Sequence, residues 1–355
     1  MRFTFRGRVA AIVSYRLGGP DGVSVEAAKW AWALRRLGFD VRTVAGSGTA
    51  DVIVPGLAAG AGAGVCGAQL RAEVEAALAG ADLVVVENLC SLPLNKVAGE
   101  VVAEVLAGRP AVLHHHDLAW QRPQFPASAV PPNDPAWLHV TINDLSRREL
   151  AERGIPATTI RNSFHPRPPA GRREYTRALL GVAVGERLVV HPSRALERKG
   201  VPEAVALAEA LDATYWLLGP AEDGYGPQLE RVLAGAGVPV HHGRLEELGL
   251  TVADAYAACD AVVFPSHWEG FGNPVIEAAL YRRPLAVAGY PVLQELAAFG
   301  FRWFPAGDPS PLDKWLRRPA PYLLDHNQAV ARRRFSLYDL PRRIASLLEA
   351  ARRPR

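Results

Sequence analysis

Short apolar runs alternate with amphipathic helical patterns along almost the whole of this 355-residue chain. When a helix follows each strand, it carries the chain back across the sheet, so successive strands pair in parallel. The predicted strands are residues 8–13, 51–54, 82–87, 111–116 and 139–142 in a first series and 187–191, 214–219, 238–242, 261–265 and 284–289 in a second. This pattern predicts an α/β chain with two Rossmann-like, doubly wound parallel sheets.

Helical patterns occupy the intervals between these strands. They cover residues 24–38, 67–79, 94–107, 144–153, 201–211, 227–235, 251–259, 274–282 and 291–298, and another covers the tail at 338–355. Prolines and polar residues at 161–175, between the two series, are typical of a linker. We therefore predict a first domain over residues 1–163 and a second over 164–337, with the tail helix packing back on the first.

The composition argues against several classes of protein. A net charge of +4 is modest for this length, and Lys and Arg are not gathered in one block, which argues against nucleic acid as a partner. Three cysteines, Cys66, Cys90 and Cys259, are too few and too scattered for a disulfide framework or a zinc site. No signal peptide precedes the first strand and no apolar run reaches about 18 residues, so we expect a cytoplasmic protein without a transmembrane segment.

The stretch EGFGNPVIE, residues 269–277, follows a predicted strand and has the features of a loop that leads into a helix. Asn273 is a suitable N-cap, and Pro274 suits the first helical position, where its missing N–H costs no hydrogen bond. Gly270 and Gly272 allow the backbone to approach a ligand closely. Because the first N–H groups of a helix attract anions, the stretch predicts a phosphate site.

Two carboxylates flank this predicted helix start, Glu269 in the loop and Glu277 in the first turn. A carboxylate repels phosphate, but it accepts hydrogen bonds from the hydroxyls of a sugar or a ribose. The pair therefore indicates a ligand with phosphate at its centre and a polyol on each side. The alternative is structural, with Glu277 complementing the helix dipole and Glu269 solvated.

Residues 191–200, HPSRALERKG, follow the first predicted strand of the second series. They offer two cations, Arg194 and Lys199, that can neutralise a diphosphate. Farther along the chain, Glu222 and Asp223 could accept hydrogen bonds from the N1–H and amino groups of guanine. These two acids would suit GDP, and UDP fits the sequence equally well.

Residues 17–24, LGGPDGVS, follow the first predicted strand of the chain. Three glycines, Gly18, Gly19 and Gly22, precede a helix for which Ser24 is the predicted N-cap. A glycine loop at a helix start can admit a phosphate or an acceptor substrate.

Three histidines and Asp117 end another predicted strand, in HHHD at residues 114–117. A metal site is conceivable there. However, neighbouring side chains along a strand point to opposite faces, so the three imidazoles cannot easily converge. We favour a neutral histidine that hydrogen-bonds a ligand hydroxyl, and we predict no metal site.

Together these motifs resemble those of a known enzyme family. EGFGNPVIE resembles the E-x7-E signature of retaining glycosyltransferases of family 4, PSRALERKG resembles their Arg and Lys pair, and HHHDLAW resembles their His-Asp stretch. The resemblance covers essentially the whole chain and implies the GT-B fold, in which two Rossmann-like domains face each other across a cleft. The first domain would bind the acceptor, and the second would bind the nucleotide-sugar donor.

The resemblance also implies a role for each matching residue. Glu269 would bind hydroxyls of the donor sugar, and Glu277 would bind those of the ribose. Arg194 and Lys199 would stabilise the leaving diphosphate, and His116 would contact the sugar near its reacting carbon. The other implied substrate-binding residues are Gly18, Gly19, Gly22, Asp117, Phe271, Gly272, Asn273, Gly219, Arg244 and Leu245, of which the last three would flank the base.

The implied reaction transfers a hexose from a UDP- or GDP-hexose to an unidentified acceptor, which could be a small molecule, a glycan or a glycolipid. The configuration at the anomeric carbon would be retained, and we predict no cofactor. Metal should be dispensable, because the sequence contains no Asp-x-Asp motif to chelate a divalent ion. Two alternatives remain open, a GT-B sugar-nucleotide epimerase and a non-catalytic relative that only binds a nucleotide sugar.

Overall fold

A computed structural model describes residues 5–61 and 66–351 of the chain. The chain divides into two compact units: unit 1 comprises residues 1–163 and 337–355, and unit 2 comprises residues 164–336. Each unit contains one sheet of parallel strands with helices packed on it. The α/β architecture with two parallel sheets, predicted from the alternating pattern, is confirmed.

The strands of unit 1 are β1 Val9–Leu17, β2 Asp40–Gly48, β3 Val52–Ile53, β4 Leu83–Glu87, β5 Ala111–His115, β6 Trp137–Thr141 and β7 Ala157–Thr159. They form a parallel sheet in the order β3-β2-β1-β4-β5-β6-β7. The helices that follow these strands are α1 Gly22–Arg36, α2 Gly67–Ala77, α3 Lys96–Leu106 and α4 Asp144–Glu152. The strand order reverses between β1 and β4, and doubly wound sheets bind ligands at the carboxyl edge of such a switch point.

Helices cover both faces of this sheet. Ile12 and Val85 join a buried cluster with Trp30 of α1, and Val86 joins a second cluster with Leu70 of α2 on the other face. A parallel strand that is covered on both sides must be apolar almost throughout, and every residue of β4 is buried. The apolar run that predicts β4 is therefore also what allows this strand to lie in the centre of the sheet.

The strands of unit 2 are β8 Arg187–His191, β9 Ala213–Leu217, β10 Val240–His242, β11 Ala261–Phe264, β12 Leu285–Val287 and β13 Phe304–Pro305. They form a parallel sheet in the order β10-β9-β8-β11-β12-β13. Its helices are α5 Arg173–Leu180, α6 Val201–Ala210, α7 Gly226–Ala234, α8 Val252–Ala258, α9 Asn273–Leu280, α10 Leu293–Ala297, α11 Ser310–Arg317 and α12 Pro321–Arg334. The switch point of this unit lies between β8 and β11, so the loops that follow these two strands are neighbours.

The last helix, α13 (Leu340–Ala351), belongs to unit 1. Leu340, Ile344 and Leu348 are spaced four residues apart, which puts them on one helical face. All three are buried in the cluster that contains Trp30 of α1. The tail helix therefore contributes to the core of unit 1.

Several elements are absent from the predicted series. β2, β7 and β13 lack a continuous apolar run, and pairing with a neighbouring strand stabilises them instead. α5 begins inside the predicted linker at 161–175, so the linker prediction is wrong at its carboxyl end. α11 and α12 were also not predicted. These misses reflect tertiary contacts that outweigh a weak local pattern.

The structure also describes the three cysteines and the lengths of the helices. Cys66, Cys90 and Cys259 are free thiols. None of the helices within residues 5–61 and 66–351 combines the length and the apolar character needed to cross a bilayer.

We expect Gly200→Ala to destabilise unit 2. Gly200 has a φ of +65°, in the left-handed region that costs a non-glycine residue about 1–2 kcal/mol. In addition, a Cβ on Gly200 would lie 2.5 Å from the backbone oxygen of Pro265, in the loop after β11. Urea unfolding should therefore show a loss of more than about 2 kcal/mol in the free energy of unfolding.

Gly181→Ala is the matched control for this substitution. Gly181 has a similar φ of +68°, but a Cβ there would meet nothing within 4 Å. Its substitution should cost only the conformational strain, about 1 kcal/mol. Equal losses for the two variants would contradict the close approach of Gly200 to the loop after β11.

Candidate functional site

The predicted residues of unit 2 lie along the carboxyl edge of its sheet. Arg194 and Lys199 follow β8, and the loop 265–272 follows the adjacent strand β11. Gly219 follows β9, on the other side of β8. Parallel strands end at one edge, so these loops meet around the switch point. The predicted residues that share this edge are Arg194, Lys199, Gly219, Arg244, Leu245, Glu269, Phe271, Gly272, Asn273 and Glu277.

A buried ion pair joins the loops after β8 and β11. Nζ of Lys199 donates a short hydrogen bond to Oε1 of Glu269, and the side chains are only 10% and 11% exposed. Nζ also lies 5.5 Å from the ring centroid of Phe264. Burial lowers the pKa of Lys199, and the charge of Glu269 opposes that shift. Glu269 is therefore the counter-ion that allows Lys199 to stay charged in a buried position.

Arg198 supports the same carboxylate from the side. Its Nη1 donates to the carbonyl of Trp268 at 2.9 Å and lies 3.7 Å from Oε1 of Glu269. In return, the N–H of His267 donates to the carbonyl of Arg198 at 2.9 Å. Both cations contact Oε1, and none of the residues that the structure describes hydrogen-bonds Oε2. Oε2 is therefore the oxygen of Glu269 that can accept from a ligand hydroxyl.

Arg194 pairs with Glu222, which lies in the loop after β9. Nη1 of Arg194 is 2.5 Å from Oε2 of Glu222, and about a third of each side chain is exposed. An ion pair this accessible to water commonly contributes less than about 1 kcal/mol. Glu222, which the sequence offers to a guanine base, is thus the partner of Arg194 in this structure.

The loops after β8 and β9 also contact each other through their backbones. The N–H of Gly219 donates to the carbonyl of Ser193 at 2.9 Å. A Cβ on Gly219 would lie 2.6 Å from that carbonyl oxygen, so only glycine fits. The close approach of these two backbones therefore explains the glycine at position 219 without reference to a ligand.

The start of α9 differs by one residue from the prediction. The helix begins at Asn273, so the predicted cap Asn273 and first position Pro274 are wrong by one residue, and Gly272 precedes the helix with φ of +94°. A Cβ on Gly272 would lie 2.0 Å from the hydroxyl oxygen of Tyr290. That hydroxyl donates to the carbonyl of Phe271 at 3.2 Å. The left-handed glycine and this bond together fix the direction in which the helix starts.

The side chain of Phe271 is part of the core of unit 2. It is only 3% exposed, and its ring lies 6.2 Å from Phe164 and 5.8 Å from Phe335, measured between centroids. The backbone of residues 271 and 272 is therefore what this segment can offer to a ligand.

Glu277 lies in the second turn of α9, so its predicted location in the first turn is wrong. Its Oε2 accepts a hydrogen bond from the hydroxyl of Tyr256 at 2.8 Å. Tyr256 is completely buried, and its ring stacks on Tyr281 with 4.6 Å between centroids. Sequence reasoning missed Tyr256, because nothing in α8 distinguishes it from an ordinary core aromatic. It orients the half-buried carboxylate of Glu277.

Arg244 and Leu245 follow β10, at the end of the sheet. Arg244 has a φ of +67°, and its guanidinium lies 3.5 Å from Glu247 and 3.4 Å from the ring of His241. Leu245 is half-buried. The structure thus brings them to the predicted edge, beyond β9 and next to the loop that contains Gly219.

In unit 1 the glycine loop follows β1, next to the switch point. Gly18 has a φ of +77°, and a Cβ there would lie 2.6 Å from Cβ of Thr49. The N-cap of α1 is Asp21, whose Oδ1 accepts from the N–H of Ser24 at 3.1 Å. The predicted cap Ser24 is therefore wrong, because the helix already begins at Gly22 and Ser24 donates its N–H to the cap.

A cavity of about 620 Å³ lies beside this glycine loop. Gly18 and Gly19 form one wall, and α1 contributes Lys29, Trp32 and Arg35. Gly22 is the first residue of α1 and is not among the lining residues. The cavity is large enough for a ligand of sugar size.

The three histidines at the end of β5 separate as alternation along a strand requires. His114 and His116 face Glu87 at the end of β4, with Nδ1 and Nε2 at 2.9 Å and 2.7 Å from its Oε2. His115 points to the other face, where it hydrogen-bonds Ser91 at 2.6 Å and His139 at 2.9 Å. Sequence reasoning missed Glu87, although it is the only acid in the run LVVVE and stands at its carboxyl end.

Asp117 completes the HHHD stretch and is held by two neighbours. Its Oδ2 lies 2.9 Å from Nη2 of Arg122. The N–H groups of His116 and Asp117 both donate to Oδ1 of Asn88, at 3.0 Å and 3.2 Å. Asn88 has a φ of +59°, and it fixes the backbone where β5 ends.

A second cavity, of about 770 Å³, lies in unit 2 at the amino edge of its sheet, opposite to the edge that carries the predicted site. Its wall includes Arg173, Arg177 and Arg283, which donate to the last carbonyls of α8. Arg173 and Arg177 also pair with Asp260. Cations at a helix carboxyl end are stabilising, so these arginines have a structural role that needs no ligand.

Comparison with known proteins identifies glycosyltransferases among the proteins that resemble this chain. A family model described as glycosyl transferases group 1 matches residues 187–311, which lie in unit 2. The mannosylglucosylglycerate synthases of Thermotoga maritima and Petrotoga mobilis are 24% and 23% identical to the chain. The first alignment covers 84% of each protein, and the second covers 86% of this chain and 88% of the relative.

Solved structures share the fold over nearly the whole chain. Anabaena Alr3699/HepE in complex with UDP-glucose has a TM-score of 0.76 and 21% identity, covering 97% of this chain and 100% of that chain. WaaG, a glycosyltransferase involved in lipopolysaccharide biosynthesis, has a TM-score of 0.67 and 17% identity, covering 96% of this chain and 99% of that chain.

We expect Glu269→Gln to destabilise unit 2, because it leaves the ammonium of Lys199 buried without a counter-charge. Removing one partner of a buried ion pair commonly costs about 3–5 kcal/mol. Adding Lys199→Met should restore part of this loss, since it removes the orphaned charge. Urea unfolding of the wild type, both single variants and the double variant measures the coupling. Strictly additive losses would argue against the ion pair.

Proposed function

We propose that this chain, a glycosyltransferase of the GT-B fold, transfers a hexose from UDP-hexose to an acceptor hydroxyl with retention at the anomeric carbon. The observation that supports this most is the set of charges at the switch point of unit 2. Arg194 and Lys199 follow β8, and α9 starts just after the neighbouring strand β11. A nucleoside diphosphate suits such a site, because cations and a helix start both favour phosphate.

The charge at this site has a role in the chemical step. The bond that breaks joins the anomeric carbon to an oxygen of the β-phosphate, and its electrons leave with UDP. Negative charge therefore grows on the diphosphate. We assign Arg194, Lys199 and the first N–H groups of α9 to that charge, and preorganised groups of this kind commonly lower a barrier by several kcal/mol.

Arg194 and Lys199 differ in what happens to their ion pairs when the donor binds. Arg194 gives up its exposed pair with Glu222, because a diphosphate carries more charge than one carboxylate. Lys199 keeps its buried pair with Glu269. Oε1 of Glu269 remains with Lys199, and Oε2 accepts from a hydroxyl of the hexose.

The proton of the acceptor goes to the leaving phosphate. The acceptor oxygen attacks the anomeric carbon on the face that UDP leaves, and its proton passes to the oxygen of the β-phosphate that has just been released. This route retains the configuration without a covalent glycosyl–protein intermediate. It also needs no metal ion, since Arg194 and Lys199 supply the positive charge.

UDP is the nucleotide we favour, since HepE, similar in fold, is described in complexes with UDP-glucose and with UDP. Glu277, oriented by Tyr256, accepts from the ribose hydroxyls. Arg244 and Leu245 flank the base. His116 contacts the transferred hexose, a role that stays a prediction from the sequence.

For the acceptor we propose a small anionic glycoside. Two of the curated relatives are named for mannosylglucosylglycerate, whose glycerate part carries a carboxylate. In unit 1, the cavity beside Gly18 is lined by Arg35 and by Lys29, which pairs with Glu26. Arginine is suited to binding a carboxylate.

The test is to incubate the protein with UDP- and GDP-hexoses and a panel of acceptors that includes glucosylglycerate. Transfer releases nucleoside diphosphate and forms a glycoside, whereas an epimerase changes the sugar without releasing nucleotide. Proton NMR of the first product should show an α-linkage from an α-linked donor. Arg194→Ala should lower kcat by about 100-fold, and excess EDTA should leave the rate unchanged. A β-linked product, or a rate that EDTA abolishes and magnesium restores, would contradict the proposal.

The two glutamates should separate in calorimetric titrations with UDP. Glu277→Gln should weaken UDP binding by about tenfold or more, because hydrogen bonds to a charged group contribute about 1.5–3 kcal/mol. Glu269→Gln should lower the rate of transfer by a larger factor than it weakens UDP binding, since only the donor carries the hexose. Glutamine keeps the size of either side chain. The opposite result would exchange the two roles.

Tyr256→Phe refines this experiment, because it removes only the hydroxyl that orients Glu277. It should weaken UDP binding in the wild type but have little further effect in the Glu277→Gln variant. Tyr281→Phe is the control for the stacked ring pair. Additive effects of Tyr256→Phe and Glu277→Gln would mean that the tyrosine acts by another route.

A further inference from the structure

Glu87 is a completely buried carboxylate in unit 1 whose hydrogen-bond partners are two imidazoles. Its Oε2 is 2.9 Å from Nδ1 of His114 and 2.7 Å from Nε2 of His116. Within residues 5–61 and 66–351, no lysine or arginine forms an ion pair with Glu87, and its Oε1 has no hydrogen-bond partner. The counter-charge of this carboxylate must therefore come from a histidine.

The pKa values of the two imidazoles shift in opposite directions. Burial raises the pKa of Glu87, but the two histidines outweigh burial and lower it to about 2, so the group is a carboxylate. Burial lowers the pKa of His116, but the hydrogen bond and charge of Glu87 raise it above its ordinary value of 6.5. For His114, burial prevails and lowers the pKa. Of the two imidazoles, His116 is therefore the one that holds a second proton more readily, and Glu87 is its carboxylate partner.

The other charged groups around His116 already have partners. Glu26 of α1 is buried and pairs with Lys29, and Asp117 pairs with Arg122. His115 faces the other side of β5, where burial lowers its pKa well below the ordinary value. These groups leave Glu87 as the carboxylate that hydrogen-bonds the ring of His116.

The geometry also fixes the orientation of the His116 ring. Nε2 must carry a hydrogen toward Glu87, because an ionised carboxylate can only accept. Nδ1 lies on the other side of the ring, and no described residue hydrogen-bonds it. His114 holds the same carboxylate oxygen from its own side and packs against Trp30, with 4.5 Å between ring centroids. The carboxylate is therefore immobilised between two rings.

We propose that Glu87 is a positioning residue that keeps His116 as an imidazolium, with Nε2–H bound to the carboxylate and Nδ1–H presented as a charged donor to an oxygen of the substrate. This inference rests on the proposed function, in which His116 contacts the transferred hexose. It places a positive charge on His116 in unit 1, and no sequence motif predicts the partner Glu87. A charged donor forms a stronger hydrogen bond to a hexose oxygen than a neutral one, and free UDP carries no hexose, so Glu87 should affect turnover of the donor and not the affinity for UDP.

The test is a titration of the His116 ring by long-range nitrogen–proton NMR, in the wild type and in Glu87→Gln. In the wild type, His116 should stay protonated above pH 6.5, and in Glu87→Gln it should lose its proton below that value. The cation is lost as pH rises through the pKa of His116, so the alkaline limb of the kcat profile should move to lower pH in the variant. At pH 6.5, where only the wild type should keep His116 largely protonated, we expect kcat of Glu87→Gln to be lower by up to about tenfold while the affinity for UDP is unchanged.

Ser91→Ala is the matched control, because it removes the hydroxyl partner of His115 on the other face of β5 and should leave the titration of His116 unchanged. If Glu87→Gln does not fold, the wild-type titration still decides, and a His116 that is neutral at pH 6.5 overturns the proposal. An unchanged titration in Glu87→Gln overturns it too.

The competing interpretation is a metal site, because the potential ligand atoms of Glu87, His114 and His116 lie within 4.8 Å of one another. Metal analysis of the purified protein tests it. Stoichiometric zinc that is lost in Glu87→Gln would overturn the proposal in favour of a metal site. His116→Gln with normal kcat would refute only the role of His116 toward the hexose, because the NMR titration tests Glu87 without reference to activity.

Discussion

The site of unit 2 depends on the buried ion pair of Lys199 and Glu269. It joins the loops after β8 and β11, the two strands between which the sheet changes direction. A buried ion alone would cost several kcal/mol, so each partner requires the other, and the two loops are held in one geometry. Gly200 and Gly272 complete the arrangement, because only glycine has the backbone conformation and the space that these turns need. The pair thus fixes a cation where a leaving diphosphate would need it and presents the second oxygen of Glu269 to a hydroxyl.

Much of the fold could be predicted, because parallel sheets that are covered on both faces require apolar strands. The runs that become β4, β5, β8 and β11 are fully or almost fully buried, and each is recognisable in isolation. β2 could not be recognised, because its sequence DVRTVAGSG mixes polar and small residues, and its pairing with β1 stabilises it. α12 has apolar residues on no clear face, so its packing against α9 decides its structure.

The candidate site was predictable where function constrains residue type at short spacing. Glu269 and Glu277 belong to one loop and one helix, and Arg194 and Lys199 to another loop, so local sequence suffices to find them. Their partners Glu222, Tyr256 and Arg198, and Glu87 beside His116, act through contacts between segments distant in sequence. Such partners follow from strand order and register, which no local pattern specifies. The helix caps were misassigned by one residue at α9 and by three residues at α1, because the choice between nearby candidates depends on backbone geometry.

Hydrogen exchange with and without UDP tests the central claim most directly, because it locates the nucleotide on the chain without presupposing the acceptor. The account predicts that saturating UDP slows exchange in residues 193–200 and 265–277, at the carboxyl edge of the sheet in unit 2. It predicts no change in residues 173–187, which line the arginine-rich cavity at the amino edge. Slowed exchange confined to that cavity, with residues 193–200 and 265–277 unaffected, would contradict the assignment of the nucleotide site.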